Sequence, residues 1–223
     1  MSKKVFLSPS DQFSNKYAYG NTTEGVQCGK IANYCKAALE RSGVDVMLMH
    51  DKSMSEKCAA SNKFGADLHV PIHTNAFNGK VMGTRMFCYN TGKGMAACKA
   101  IFARVAPLSP GTSENIQVNQ KLYEVRVPAA PTAYLECEFH DTVEGAKWIV
   151  ENTVLIGETI ARGICDYFGV KFVEKPKPVE PEKKDVLYRV QIGAYKIKAN
   201  AEKRQAEAKA AGFTDAFIVT VEQ

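Results

Sequence analysis

The sequence predicts an α/β fold, in which helices cover both faces of a mostly parallel sheet and a small C-terminal βαβ unit follows. Two observations indicate the main domain. Short apolar runs alternate with helical patterns from the first residues onward, which is typical of parallel sheets with crossover helices. Several of these runs are apolar throughout, as expected for strands that are buried on both faces. A third observation, a charged and proline-rich segment, separates the C-terminal unit.

The first half of the chain alternates strands and helices in a regular way. Each predicted helix has an amphipathic pattern and ends at a glycine, Gly43 or Gly65, which is a common stop signal. The predicted elements are a strand at 4–8, a helix at 22–43, a strand at 44–50, a helix at 53–65 and a strand at 66–73.

The second half is less regular. An alternating pattern predicts a strand at 83–90, and a helix at 93–106 follows it. Residues 106–131 lack a period and predict a long loop that faces the substrate, because loops of this length in compact domains are often functional. The run PTAYLECEFH, residues 131–140, predicts another strand. Residues 142–169 predict one long closing helix or a helix pair.

Composition divides the chain into three predicted parts. These are an α/β domain at 1–172, a Pro-rich charged linker at 173–185 and a small unit at 186–223. In parallel sheets of this kind the functional site lies beyond the carboxyl ends of the strands. We therefore expect the site at that edge of the first domain.

The overall charge and hydropathy exclude several classes of protein. The net charge of +5 suits a polyanionic partner such as a bacterial wall, but it is too weak to indicate nucleic acid. No apolar run reaches membrane-spanning length, and the N-terminal residues lack the apolar core of a signal peptide. We therefore expect synthesis in the cytoplasm. The seven cysteines form no CxxC pair, so free thiols are expected.

Acidic and imidazole side chains gather at the predicted ends of strands and helices. His73 ends the third strand, and Glu24 lies in the first turn of the helix after the first strand. The strand period of two predicts one shared face for Glu136, Glu138 and His140. Burying these groups without a cation is costly. The pattern therefore predicts a divalent ion, and mixed His and carboxylate ligands suit catalytic Zn²⁺ with a spare carboxylate as general base.

Each of these residues also fits a structural role when it is taken alone. Glu24 complements the dipole at a helix start, and a single histidine such as His73 is commonly held by an ordinary hydrogen bond. His140 fits a cap at a strand end. The carboxylates of ECEFH are normal on the wet face of an edge strand. Their joint appearance at the ends of elements in one sheet favours a site.

Three segments resemble the zinc-dependent N-acetylmuramoyl-L-alanine amidases of the Amidase_3 type. Residues 22–43, the run VPIHTNA at 70–76 and the run PTAYLECEF at 131–139 are similar to three motifs of that family. The resemblance implies that Glu24 and His73 are zinc ligands and that Glu136 is the catalytic glutamate.

The first histidine motif of that family has no counterpart here. Where an Asp-x-Gly-His run is expected, the chain reads SPSDQ at residues 8–12. His69 lies two strand pitches from His73, about 13 Å, so we expect it to make an ordinary hydrogen bond instead. The candidates for the missing ligand, with the first preferred, are His140, Asp11, Gln12 and His69.

The resemblance implies hydrolysis of the amide between N-acetylmuramic acid and L-Ala of the peptidoglycan stem peptide. Glu138 would tune the catalytic carboxylate or contact the substrate, and Asn75 would hydrogen-bond the substrate or support the ligands. The missing signal peptide fits a phage endolysin or an autolysin that acts on the wall after release. The alternative is a non-catalytic peptidoglycan-binding protein on an amidase fold with a degraded metal site.

The tail resembles a half-length SPOR domain, a peptidoglycan-binding module. The run YRVQIGAY at 188–195 is similar to its opening strand, and a predicted helix and the strand AFIV follow. The resemblance implies wall binding. Because a half-length unit leaves its sheet incomplete, a homodimer that pairs two tails about a two-fold axis is a natural expectation.

Overall fold

The computed structural model describes residues 2–112, 115–175 and 188–221. The first unit, Met1–Pro176, contains one six-stranded sheet with strand order β2-β1-β3-β6-β4-β5. Strands β2, β1, β3 and β6 are parallel, whereas β4 is antiparallel to β6 and parallel to β5. The predicted, mostly parallel sheet is therefore confirmed. The strands are β1 (Lys4–Pro9), β2 (Asp45–Leu48), β3 (Leu68–Asn75), β4 (Arg85–Cys88), β5 (Asn115–Val118) and β6 (Tyr134–Phe139).

The helices follow the predicted order. The segment predicted as a loop contains three short elements, a 3₁₀ helix at Ala106–Leu108, the strand β5 and the helix α4 (Tyr123–Arg126), while Ser113 and Glu114 lie outside the described residues. The closing segment is a helix pair. The helix is interrupted at Asn152, whose side chain donates to the Trp148 carbonyl. The helices are α1 (Glu24–Arg41), α2 (Met54–Phe64), α3 (Lys93–Val105), α4 (Tyr123–Arg126), α5 (Val143–Glu151), α6 (Thr153–Phe168) and α7 (Lys198–Ala210).

One face of the sheet is apolar and forms the main core. Side chains such as Leu7, Val70 and Leu135 are fully buried there, against α1, α3 and α6. Helices α1 and α6 approach so closely that a Cβ on Gly157 would lie 2.6 Å from the Ile31 carbonyl oxygen. Burying this face supplies most of the driving force for folding.

The opposite face of the sheet carries buried polar side chains. Ser8, His69 and His73 project there from β1 and β3, with α2 nearby. The Lys57 ammonium of α2 donates to the Pro9 carbonyl at 2.6 Å, so even the covering helix contributes a polar contact. Polar groups buried at this density are normally satisfied by partners. This face therefore carries the candidate functional residues.

A bulge in β6 changes which side chains share a face. His73 pairs with Glu136, but two residues later Asn75 pairs with Phe139 and not with Glu138. The extra residue breaks the period-two alternation, as β-bulges do. The sequence-based expectation that Glu136, Glu138 and His140 share one face is therefore wrong, since it assumed an uninterrupted strand.

The second unit, Lys177–Gln223, is described only at 188–221. It contains α7, and the described segments on both sides of α7 have no strand. Two short strands have little stability without a third partner, which accounts for this difference from the predicted strand–helix–strand pattern. Most of the predicted linker 173–185 lies outside the described residues, and the three predicted boundaries stay a prediction.

Two further sequence-based expectations concern the whole chain. All seven cysteines are free and buried, as predicted. Among the described residues, no helix has the length and apolar character needed to span a membrane.

Candidate active site

The site begins with a buried carboxylate–imidazole pair. Glu24 is the first residue of α1, and His73 lies near the carboxyl end of β3. The Nδ1 atom of His73 is 3.0 Å from the Oε1 atom of Glu24, and Glu24 is only 1% exposed. The two residues are far apart in the sequence. Because α1 follows β1 and β1 is parallel to β3, both residues lie at the carboxyl edge of the sheet.

The loop after β1 supports Glu24 with amide groups. Asn15 donates to Oε2 of Glu24 at 2.9 Å, and the Nε2 atom of Gln12 lies 3.5 Å from Oε1. Burial works against ionisation, but the hydrogen bond with His73 and its charge, together with the Asn15 contact, lower the pKa of Glu24. The carboxylate is thus held ionised inside the protein.

His73 is held between aromatic and acidic groups. The ring of Tyr134 stacks on it with centroids 4.7 Å apart, and Oε2 of Glu124 lies 4.0 Å from its Nε2 atom. Burial opposes the charged form, yet the hydrogen bond to Glu24 and the charges of the nearby carboxylates raise the pKa of His73. Its Nε2 atom is buried and has no hydrogen-bond partner.

Glu136 is the third member of the site. It is paired with His73 across β3 and β6, so the two side chains are neighbours on the same face. Burial, opposed by the charge of His73, raises the pKa of Glu136 to about 7. Its Oε2 atom is buried without a partner. A carboxyl group that changes protonation near neutral pH is suited to general acid–base chemistry.

Glu138 does not join this group. It is fully buried, and its carboxylate accepts from the backbone amides of Gly83 at 2.6 Å and Phe139 at 2.7 Å and from the Ser109 hydroxyl. Through these contacts Glu138 stabilises the loop before β4. The expectation that Glu138 contacts the substrate does not fit this placement, because the bulge turns its side chain away from Glu136.

His140 lies just beyond β6 in a small aromatic and hydroxyl cluster. Its ring stacks on Tyr17 with centroids 4.9 Å apart, and its Nδ1 atom is 2.9 Å from the Thr74 hydroxyl. Burial lowers the pKa of His140, which favours the neutral imidazole that metals bind. Asn75 ends β3 beside it, where its carbonyl accepts from the His140 amide at 2.8 Å.

The other candidates for the third ligand have different surroundings. Asp11 faces α2, where it pairs with the Lys57 ammonium and accepts from the Asp51 amide at 2.7 Å. His69 is deeper in the sheet and lies 3.0 Å from the Ser61 hydroxyl, as its predicted structural role requires. Of the alternatives to His140, only Gln12 reaches Glu24.

Glu124 was missed by sequence reasoning. It lies in α4, is 2% exposed, and connects β1 to β3 through the Ser8 hydroxyl and the His69 Nε2 atom, the latter at 3.4 Å. The hydrogen bonds from both partners lower its pKa against the effect of burial. The signal in the sequence was one acidic residue between apolar neighbours in KLYEVR, within a segment predicted as a loop.

The donor set around His73 fits a divalent cation. Three carboxylates, from Glu24, Glu124 and Glu136, surround one imidazole, and two buried atoms there, His73 Nε2 and Glu136 Oε2, have no partner. Burying negative charge together with unpartnered ligand atoms costs free energy unless a cation neutralises the charge.

Binding of a divalent cation by the predicted ligands would require some side-chain rearrangement. The groups of three described ligand atoms that lie within 4.8 Å of one another are Cys58, His69 and Glu124, and Asp11, His50 and Asp51. The set of Glu24, His73 and His140 does not meet that distance. Among these three predicted ligands, the shortest contact is the one between Glu24 and the Nδ1 atom of His73.

Two curated proteins are similar to this chain over most of its length. A sporulation-specific N-acetylmuramoyl-L-alanine amidase of Bacillus subtilis (strain 168) is 26% identical over 224 residues, which cover 97% of this chain and 84% of the relative. The N-acetylmuramoyl-L-alanine amidase CwlM of Bacillus licheniformis is 26% identical over 227 residues, with the same two coverages.

Solved structures share the fold of the first unit. The catalytic domain of CwlV, an N-acetylmuramoyl-L-alanine amidase from Bacillus (Paenibacillus) polymyxa var. colistinus, superposes with a TM-score of 0.67 at 17% identity. The match covers 76% of this chain and 99% of that domain. Residues 12–166, more than half of the chain, match the family described as N-acetylmuramoyl-L-alanine amidase, Amidase_3, and residues 171–222 match the SPOR domain. The chain belongs to the Amidase_3 family and carries a C-terminal SPOR domain.

Proposed function

We propose that this protein is a zinc-dependent amidase that cleaves the bond between N-acetylmuramic acid and L-Ala of the peptidoglycan stem peptide. Family membership supports amidase activity on peptidoglycan. The observation that carries the proposal is Glu136, a half-buried residue beside the Glu24–His73 pair, whose carboxyl group has a pKa near 7 and a buried oxygen without a partner. A non-catalytic wall-binding role is not favoured, because these acidic and imidazole groups are still assembled.

Glu24 and His73 are the proposed zinc ligands, and His140 is the proposed third. Gln12 is the alternative, since its side chain already lies beside Glu24. Zinc bound here would polarise the scissile carbonyl and lower the pKa of a water molecule. Tyr134 and Glu124 would hold the His73 ring in position by stacking and by charge.

Glu136 supplies the proton transfers in the proposed reaction. Its carboxylate removes a proton from the attacking water, whose oxygen forms a bond to the carbonyl carbon. The same proton is then donated to the L-Ala nitrogen as the carbon–nitrogen bond breaks. The products are the lactyl carboxylate of the sugar and a peptide with a free amino group. A pKa near 7 suits a group that must act as base and then as acid.

The test measures both the degradation of the wall and the release of the new amino group. Purified protein with zinc should reduce the turbidity of wall suspensions and release free L-Ala amino groups, without forming new reducing sugar ends. Removing the metal with a chelator should stop both effects, and zinc should restore them. Wall binding without release of amino groups would instead support the non-catalytic alternative, and new reducing ends would indicate a different bond.

The SPOR domain is the proposed wall-binding part. Its described residues expose apolar and aromatic side chains, including Tyr188 at 92% and Phe217 at 68%, which suits contact with sugar rings. The two units divide near Pro176, and Val173, near the end of the first unit, hydrogen-bonds Arg41 and Ser42 of that same unit. The homodimer expected from the tail has no support in these observations.

Removing residues 177–223 should separate binding from turnover. We expect the truncated protein to bind walls at least about tenfold more weakly, because multivalent attachment is lost, while it hydrolyses soluble muramoyl peptides at the parental rate. Sedimentation with walls and soluble-substrate kinetics measure the two effects. If turnover of soluble substrate falls together with wall binding, the tail has a structural role in the first unit.

A further inference from the structure

Four polar residues form a row across the sheet on the face that carries Glu136. His73 in β3 pairs with Glu136 in β6, Glu136 pairs with Arg85 in β4, and Arg85 pairs with Asn115 in β5. Residues paired in this way project to the same side of a sheet. The row therefore extends from the proposed metal ligand to the edge strand.

Each member of the row has a buried atom without a hydrogen-bond partner. These atoms are His73 Nε2, Glu136 Oε2, Arg85 Nε and Asn115 Oδ1. Native proteins leave few buried polar atoms unsatisfied. Four in one continuous row, with Glu136, Arg85 and Asn115 only half-buried, indicate that a bound molecule satisfies the polar groups of this row.

Arg85 differs from other arginines of the chain. Its guanidinium lies over the ring of Phe139, 5.1 Å from the centroid, a contact that the bulge in β6 makes possible by turning Phe139 to this face. Within the described part of the chain Arg85 has no ion pair, in contrast to four arginines that do have one: Arg41, Arg104, Arg162 and Arg204. A guanidinium that is held over an aromatic ring and has no ion pair is available to bind a carboxylate through two hydrogen bonds.

The spacing of the row matches an extended peptide. Neighbouring strands are about 4.8 Å apart, so Arg85 lies about one spacing and Asn115 about 10 Å from Glu136. A peptide in extended conformation advances about 3.3 Å per residue. If the scissile bond lies at Glu136, Arg85 is level with the second peptide residue and Asn115 with the third.

We infer that Arg85 and Asn115 form a subsite for an anionic peptide, in which Arg85 binds a carboxylate and Asn115 donates to or accepts from the peptide backbone. This inference rests on the proposed function. The sugar side of the scissile bond offers no carboxylate, because its lactyl carboxyl group forms the bond that is cut. The peptide of the substrate therefore lies over β4 and β5, and the protein prefers stem peptides with a free carboxylate near the second residue.

Binding without turnover tests this subsite directly. Zinc-loaded Glu136→Gln protein would be titrated calorimetrically with two soluble muramoyl dipeptides, L-Ala followed by D-Glu, in which the α-carboxyl group of the second residue is free or amidated. We expect the free carboxylate to bind about ten- to hundredfold more tightly. Adding Arg85→Gln should abolish this preference, Arg85→Lys should restore part of it, and Asn115→Ala should weaken both ligands. The matched control is Arg104→Gln, whose exposed partner is Asp166.

Kinetics with Glu136 intact distinguishes a subsite from an effect on catalysis. The Arg85 charge lowers the pKa of Glu136, so the kinetics are measured at pH 9, where Glu136 is ionised in both proteins. There Arg85→Gln should raise KM for the free carboxylate and leave kcat within about threefold, which corresponds to about 0.65 kcal/mol or less. Equal binding of the two dipeptides, or an equal fall in kcat for both without a change in KM, would overturn the inference. Failure of the proposed function has a different signature, since the parent would then release no amino groups from walls.

Discussion

Replacing Glu136 with glutamine is expected to slow release of L-Ala amino groups from walls by at least about a hundredfold, the lower range for removing a general acid–base group. Glutamine has nearly the same shape but neither accepts nor returns the proton. The zinc content should remain near that of the parent, because the proposed ligands are Glu24, His73 and His140. Wall hydrolysis and metal analysis on the same preparations measure both effects.

The same substitution should not weaken the fold, and this separates catalysis from stability. The pKa of Glu136 is raised to about 7 by burial, so ionising it in the native state costs free energy above its ordinary pKa. At pH 8 the parent bears that cost in full and the glutamine variant does not. In metal-free protein the melting temperature of Glu136→Gln at pH 8 should therefore equal or exceed that of the parent.

Exposed Glu144 in the first turn of α5 offers the matched control. Glu144→Gln removes the same charge from the same fold and should leave the rate of wall hydrolysis unchanged. A Glu136→Gln protein that hydrolyses walls at the parental rate would remove Glu136 from the mechanism, whatever its zinc content.

Replacing Glu24 with glutamine is expected to lower zinc affinity by at least about a hundredfold. Changes to groups that only support a metal ligand commonly cost ten- to hundredfold, and Glu24 is a proposed ligand that is ionised and in contact with His73. Glutamine preserves the size of the side chain, so α1 should still begin at this residue. Competition with a chromogenic chelator measures the affinity, and Glu144→Gln again serves as the control.

The same assay decides the third ligand. If His140 is a ligand, His140→Ala should lose most of its zinc while Gln12→Ala retains it. The reverse result would give the role to Gln12, whose Nε2 atom lies 3.5 Å from Glu24. Zinc content must be read on folded protein, because His140 is 4% exposed and packs on Tyr17. Full zinc affinity in Glu24→Gln would show that the metal, if present, lies elsewhere.

Local sequence patterns determined the order of strands and helices and the positions of two residues of the site. Alternating apolar runs predicted the strand and helix order, because burial of a strand or a helix face imposes a period on the sequence. The same reasoning placed Glu24 at a helix start and His73 at a strand end, and the structure brings these two residues together. It also predicted structural hydrogen bonding for His69.

Only the tertiary structure decided the rest of the site. The bulge in β6 directs Glu138 into backbone hydrogen bonds and brings Phe139 beside Arg85, although the sequence around it reads as a regular alternation. Glu124 reaches His69 from a segment without a period, and Arg85 meets Glu136 because β4 runs antiparallel to β6. Strand register, strand direction and bulges arise from contacts between distant segments, so no local pattern of residues encodes them.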